Sequence, residues 1–189
     1  MNHVFAQPLI AWFLAYPLLT SCGVSVDGPL PTLQTAGLHI LLCILFEDFS
    51  FYWLHRGLHH RLIYKYIHKQ HHEFKANVSI CSQYAHPVED LSNALAFLLG
   101  PAVLGVHCST FLMWTAIRIG ESCDAHTGYA LPFLPWNWVL SIQGGADRHE
   151  YHHSHNIGSY GSYTKFWDWL CGTDKAYYRW KQQQAVKAE

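Results

Sequence analysis

The chain reads as an all-α protein: an integral membrane helical bundle carrying a cytosolic, histidine-rich cap that holds two metal ions. Three observations predict this. Half of the 189 residues are hydrophobic and 13% are charged, about half of the usual charged share of a soluble domain. The apolar residues come in runs long enough to be helices in lipid. Fifteen histidines are present, and several fall in three tight runs, far more than packing needs call for.

The elements follow in order. Residues 1–5 carry no Lys or Arg and no small-residue cleavage site follows, so the first apolar run reads as a retained helix rather than a signal peptide. That run, residues 4–19, is interrupted by Pro8 and Pro17 and spans about 24 Å as a helix. Gly23, Gly28, Pro29 and Pro31 make a turn, and residues 33–54 form a second apolar helix. Residues 1–54 are therefore expected as a transmembrane hairpin. No Lys or Arg occurs before Arg56, which is followed by Arg61, Lys65, Lys69 and Lys75. That bias places residues 55–90 on the cytosolic side.

A further apolar block, residues 91–119, is broken at Gly100-Pro101 and at Gly105. Halved there, each arm is too short for an ordinary span. A shallow or re-entrant hairpin is expected, one long tilted helix being the alternative. Residues 131–142, with Pro132, Pro135, Trp136 and Trp138, suit an interfacial segment, so 91–142 is assigned to the membrane. Residues 143–180 return to the cap, and 181–189 read as a solvated tail. The whole of 1–189 is one domain. Near-zero net charge and the lack of a basic block exclude a nucleic-acid binder. The six cysteines show no C-x-x-C pair and read as small buried residues.

The runs are His55-x3-His59, His68-x2-His71-His72 and His149-x2-His152-His153. At about 100° per residue, i, i+3 and i+4 share a helical face, so each run is expected to aim at one point. Eight imidazoles are twice what one four-coordinate ion needs, which points to two metals. Asp48, seven residues before His55, lies on the same face and is expected to accept an N–H from a liganding ring. Glu47 falls off that face. His126 is expected as an extra ligand and His86 as a weaker one, while His60 points away and His3, His39 and His107 stand alone. Imidazole without thiolate suits iron, zinc, copper or nickel. Eight or more histidines beside a greasy cavity suit two irons that activate O2 against a C–H bond.

Together these stretches resemble the fatty acid hydroxylase superfamily, and within it the C-4 methylsterol oxidase (methylsterol monooxygenase) branch. The matching residues are 46–56 (FEDFSFYWLHR), 64–74 (YKYIHKQHHEF), 84–89 (YAHPVE), 149–153 (HEYHH), and Trp167-Asp168 through Gly172-Thr173-Asp174. The resemblance implies a multi-pass enzyme of the endoplasmic reticulum membrane, with a non-haem di-iron centre held by the three histidine boxes and O2 as co-substrate. Electrons would come from NAD(P)H through cytochrome b5 and its reductase. The reaction implied is stepwise oxidation of a sterol C-4 methyl group in sterol biosynthesis. Arg148 and Ser159 stand where the family often has histidine and asparagine, with His155 and Asn156 close by to compensate. Phe51, Tyr52, Trp114 and Trp136 are available to line a sterol route, although apolar packing is the commoner role for such residues. The alternatives are a hydroxylase or desaturase of fatty acyl or sphingoid chains, and a degenerate relative that binds metal and lipid without turnover.

Overall fold

A computed structural model describes residues 9, 11–75, 78–129 and 145–188. Among these the chain is helical, and one isolated parallel bridge, Ser25 to His107, is its only β pairing. The interfacial segment expected at 131–142, Trp136 with it, and residues 4–8 and 10 of the first apolar run lie outside the described residues. Within that run a π-helical turn at Ala11–Ala15 leads into α1 (Tyr16–Ser21).

The next helix, α2 (Leu33–Leu58), organises the rest. Thr32 caps it by accepting from Thr35 N at 3.1 Å, which satisfies one of the free N–H groups of the first turn. Its 26 residues extend about 39 Å, four residues beyond the expected end. Ala36, Cys43 and Glu47 are buried along one side of it, and Asp48, Tyr52 and His55 are buried further along, where the cap surrounds it. Leu38, Leu41, Leu45, Phe49 and Trp53 are exposed on the other sides. Among the described residues it is the one helix long and apolar enough to cross a membrane.

Against the buried face lies α3 (Pro87–Leu104), entered through Pro87 and capped by His86 Nδ1 on Val88 N. The two backbones nearly touch: a Cβ at Gly100 would sit 2.8 Å from Cys43 Cα. The break expected at Gly100-Pro101 is absent, because α3 runs through it and ends only at Gly105, which takes the left-handed conformation at φ 57. Proline inside a helix orphans the carbonyl four residues earlier. Here that carbonyl, Phe97 O, accepts the indole N–H of Trp114 at 3.2 Å, so the helix continues. The chain then turns into α4 (Cys108–Ala125), whose Phe111 and Trp114 rings lie 5.6 and 5.8 Å from Phe97. Each arm has 18 residues, about 27 Å. The short arms and the one long tilted helix of the alternative are therefore both replaced by two full helices, which part at the break expected at Gly105. Cys43, Val106, Trp114 and Tyr163 form the core where α2, α3, α4 and the 160s loop meet.

The cap is completed by α5 (Ala146–His155), α6 (Phe166–Cys171) and α7 (Lys175–Ala188). Tyr151 of α5 packs on Tyr177 and Trp180 of α7, and Asp147 accepts from Tyr177 Oη at 2.7 Å and Lys181 Nζ at 2.9 Å. The expected tail is exposed over 181–187 but helical through Ala188. Its Lys, Gln and Ala are strong helix formers, and α7 is anchored at its start.

Candidate metal centre

The last turn of α2 carries His55, and His59 is its C-cap, one turn on and on the same face. The second run departs from the expected helix. Residues 61–70 are successive turns, in which Lys69 N reaches back five residues to Tyr64 O at 2.8 Å, and His71–Glu73 is a single 3-10 turn. His72 N still meets His68 O at 3.4 Å, so these two rings stay one turn apart. The third run lies on α5 as expected, and His126 is the C-cap of α4.

Nine rings gather in two clusters, each with its nitrogens within 4.8 Å of one another: His55, His59, His68, His72 and His152 in the first, His71, His126, His149 and His153 in the second. In the first, Nε2 atoms are 3.1 Å apart for His55–His68, His55–His152 and His59–His152, and 3.0 Å apart for His68–His72. In the second they are 2.9 Å apart for His126–His149, 3.0 Å for His149–His153 and 3.5 Å for His71–His126. The clusters adjoin, with the His72 and His153 rings 4.5 Å apart.

The second and third runs thus do not each converge on one point. On a helix, i+4 lies about 40° to one side of i and i+3 about 60° to the other. The i, i+4 pairs His68–His72 and His149–His153 stay together, while His71 and His152 each serve the opposite cluster.

Ring tautomers decide what these short separations mean. His55 Nδ1 lies 2.8 Å from Tyr160 O, His152 Nδ1 2.7 Å from Gly158 O, His126 Nδ1 2.8 Å from Ser122 O and His71 Nδ1 3.2 Å from Tyr84 O. A carbonyl can only accept, so each ring donates from Nδ1 and keeps its lone pair on Nε2. At His55–His152 and His71–His126, lone pair faces lone pair, and no hydrogen bond forms. A cation between them satisfies both. Metal–nitrogen bonds of about 2.1 Å put ligands at right angles roughly 3.0 Å apart and tetrahedral ligands roughly 3.4 Å apart. Most of the observed separations match the right angle, which fits ions of coordination number above four, such as iron.

Burial keeps these imidazoles uncharged. From an ordinary value of 6.5, burial first and neighbouring imidazoles second hold His59 and His153 at about 2 and His126 at about 3, and burial alone lowers His71 to about 4. Unfolded chain takes up protons below 6.5 that the folded chain refuses, so stability is present above that value and is lost as pH falls. Metal-free protein should melt at a clearly lower temperature at about pH 5 than at about pH 7. An unchanged melting temperature by scanning fluorimetry would contradict the neutral assignment.

Several groups occupy roles other than those expected. Among the described residues the Asp48 carboxylate has no hydrogen bond to a histidine; it accepts from Thr164 N at 2.8 Å and Thr164 Oγ1 at 2.6 Å, pinning the 160s loop to α2. The carboxylate that meets a ring is Glu89, buried, with Oε2 2.8 Å from His68 Nδ1. An acid in a helix's first turn, just after a histidine-bearing segment, was the available signal. His86 caps α3, His107 caps α4 and His60 is exposed. Tyr52 and Trp114 are fully buried, with Tyr52 Oη beside Thr173 Oγ1 and the Trp114 indole donating to Phe97 O.

The carbonyls of Gly158 and Tyr160, which orient His152 and His55, sit on a loop held by Asp168. That buried carboxylate accepts from Tyr160 N at 2.9 Å, Gly161 N at 2.7 Å and Thr173 Oγ1 at 2.6 Å, and pairs with Arg148 at 2.8 Å. Arg148 therefore braces this loop rather than adding to the imidazoles. Gly158 is required here: its φ is 67 and a Cβ would meet Thr173 O at 1.9 Å. Beside the second cluster, Phe51, Arg118, Glu121, Ser162, His126 and His149 help to line a cavity of about 40 Å³.

The sequence pattern of the family described as fatty acid hydroxylase matches residues 40–173. Methylsterol monooxygenase 2-2 of Arabidopsis thaliana is 39% identical over 94% of the chain and 67% of its own length. A very-long-chain aldehyde decarbonylase of Oryza sativa subsp. indica is 40% identical over 87% of the chain and 62% of its own. A putative methylsterol monooxygenase of Dictyostelium discoideum is 35% identical over 96% of the chain and 67% of its own. The chain thus spans roughly two thirds of the length of these relatives. No solved structure matches it.

Proposed function

This chain belongs to the fatty acid hydroxylase family, and from that premise we propose that it acts as a membrane-bound non-haem di-iron monooxygenase that oxidises a lipid C–H bond with O2, the C-4 methyl group of a sterol precursor being the favoured target. The observation that carries this reading is the facing of Nε2 lone pairs across both clusters. His55, His59, His68, His72 and His152 would hold one iron, and His71, His126, His149 and His153 the other. Bound iron supplies O2 binding and one-electron chemistry. The chain's own part is to orient the rings through Tyr160, Gly158, Ser122 and Tyr84 carbonyls, to seat His68 on Glu89, and to keep bulk solvent from the buried rings.

The setting we propose is the endoplasmic reticulum membrane, crossed more than once, with the histidine cap facing the cytosol. Length and apolarity of α2 support a crossing, and Arg56 in its last turn with Arg61, Lys65 and Lys69 after it support the orientation. NAD(P)H, through cytochrome b5 and its reductase, is the proposed electron source.

The rice relative's name favours a second reading, action on a very-long-chain aldehyde. One experiment separates the readings: elemental analysis of detergent-purified protein, followed by turnover with a 4-methylsterol and with a long-chain aldehyde. About two irons per chain and an oxidised sterol support the first reading, in line with two clusters of imidazole ligands. Aldehyde turnover alone supports the second, and iron-loaded protein that converts neither substrate rejects both.

A further inference from the structure

We propose that the cavity beside the second cluster is a water-holding proton reservoir for O2 reduction, with Glu121 as the group that stores the proton. The inference rests on the monooxygenase reading. Inserting one oxygen atom of O2 into a C–H bond breaks the O–O bond, forms C–OH and releases the second oxygen as water. This takes up two electrons, here from a reduced nicotinamide through a carrier protein, and two protons, which must arrive through the protein.

The cavity has imidazoles of His126 and His149 on one side and Arg118, Glu121 and Ser162 on another. Arg118 Nη1 lies 2.8 Å from Glu121 Oε2, and Arg118 Nε donates to Glu47. Both carboxylates are buried, at 2% and 1% exposure. Two carboxylates therefore share one guanidinium, and a buried pair of acids with a single cation retains one proton between them. Of the two, Glu121 lines the cavity and Glu47 does not. Ser162 Oγ contacts Glu121 at 3.4 Å. The other charged and titratable groups facing this point are Asp124, Arg148, which is held by Asp168, and Tyr163, whose ring lies under Arg118.

A second observation points to an occupant. Ser159, 2% exposed, lines the same cavity, and its hydroxyl has no hydrogen-bond partner among the described residues. A buried hydroxyl in a cavity that charged side chains such as Arg118, Glu121 and Arg148 help to line is ordinarily satisfied by water. The volume of about 40 Å³ holds roughly one to three water molecules, and excludes a sterol or acyl chain. Water there would link Glu121 to the face of the cluster.

The test uses full-length iron-loaded protein and an infrared readout that needs no turnover. Wild type should show a protonated carboxylic acid C=O band that shifts in D2O, is lost in Glu121→Gln and moves in Glu121→Asp. In turnover, Glu121→Gln should lower product formation by on the order of 100-fold with iron content unchanged and peroxide released, and Glu121→Asp should recover part of it. A wild type without the band, a band that survives Glu121→Gln, or full coupling in Glu121→Gln overturns the reservoir. Should wild type bind no iron and form no product, the monooxygenase reading fails and the reservoir with it, while the infrared bands of the purified protein still show whether Glu121 holds a proton.

Discussion

His152→Ala protein purified in detergent is expected to carry about half of the wild-type iron and to form product at least roughly 100-fold more slowly, a larger loss than removal of a group behind the ligands causes. His152 is fully buried, and its Nε2 lies 3.1 Å from the Nε2 atoms of both His55 and His59. It is the ring that joins the α2 pair to α5. Alanine removes that nitrogen and leaves Gly158 O, which accepted from His152 Nδ1 at 2.7 Å, without its donor. His60→Ala is the matched control: His60 is exposed and belongs to neither cluster, so that variant retains iron and turnover. Full iron content and activity in His152→Ala would remove it from the ligand set.

The second large effect is on stability. Asp168→Ala should destabilise the protein by about 3–5 kcal/mol, because removing one partner of a buried pair strands the other's charge. Arg148, 3% exposed, would be that stranded charge, and Tyr160 N and Gly161 N would lose their acceptor together. The loss should reach the metal site, since Tyr160 O orients His55. Adding Arg148→Met to Asp168→Ala should recover part of the melting temperature, as replacing both members of a buried pair costs less than breaking it. A melting temperature within a degree or so of wild type in Asp168→Ala would contradict this bracing role.

The histidine boxes were legible because ligand chemistry leaves residue types at short, regular intervals, and His126 was legible from its place at the end of an apolar block. Partners across space were not. The seven-residue step from Asp48 to His55 gives a shared face on one helix, but Thr164, 116 residues away, decides what that carboxylate meets. The same limit hid the division of the second and third boxes, since the i+3 ring can turn to a neighbour that only the folded chain supplies. Gly100-Pro101 read as a break because both residues disfavour helix. The indole of Trp114, from another helix, accommodates the orphaned carbonyl, and Cys43 uses the space that glycine leaves.

Main-chain oxygens dictate which nitrogen of His55, His71, His126 and His152 faces inward, so the cradle is set before any ion arrives. A cradle of this kind has no gate that opens for one element alone. Zinc or copper meets the same array, and the natural affinity order does not favour ferrous ion over either. Correct loading then becomes a matter of supply: the cell must present iron to the folding chain ahead of its competitors.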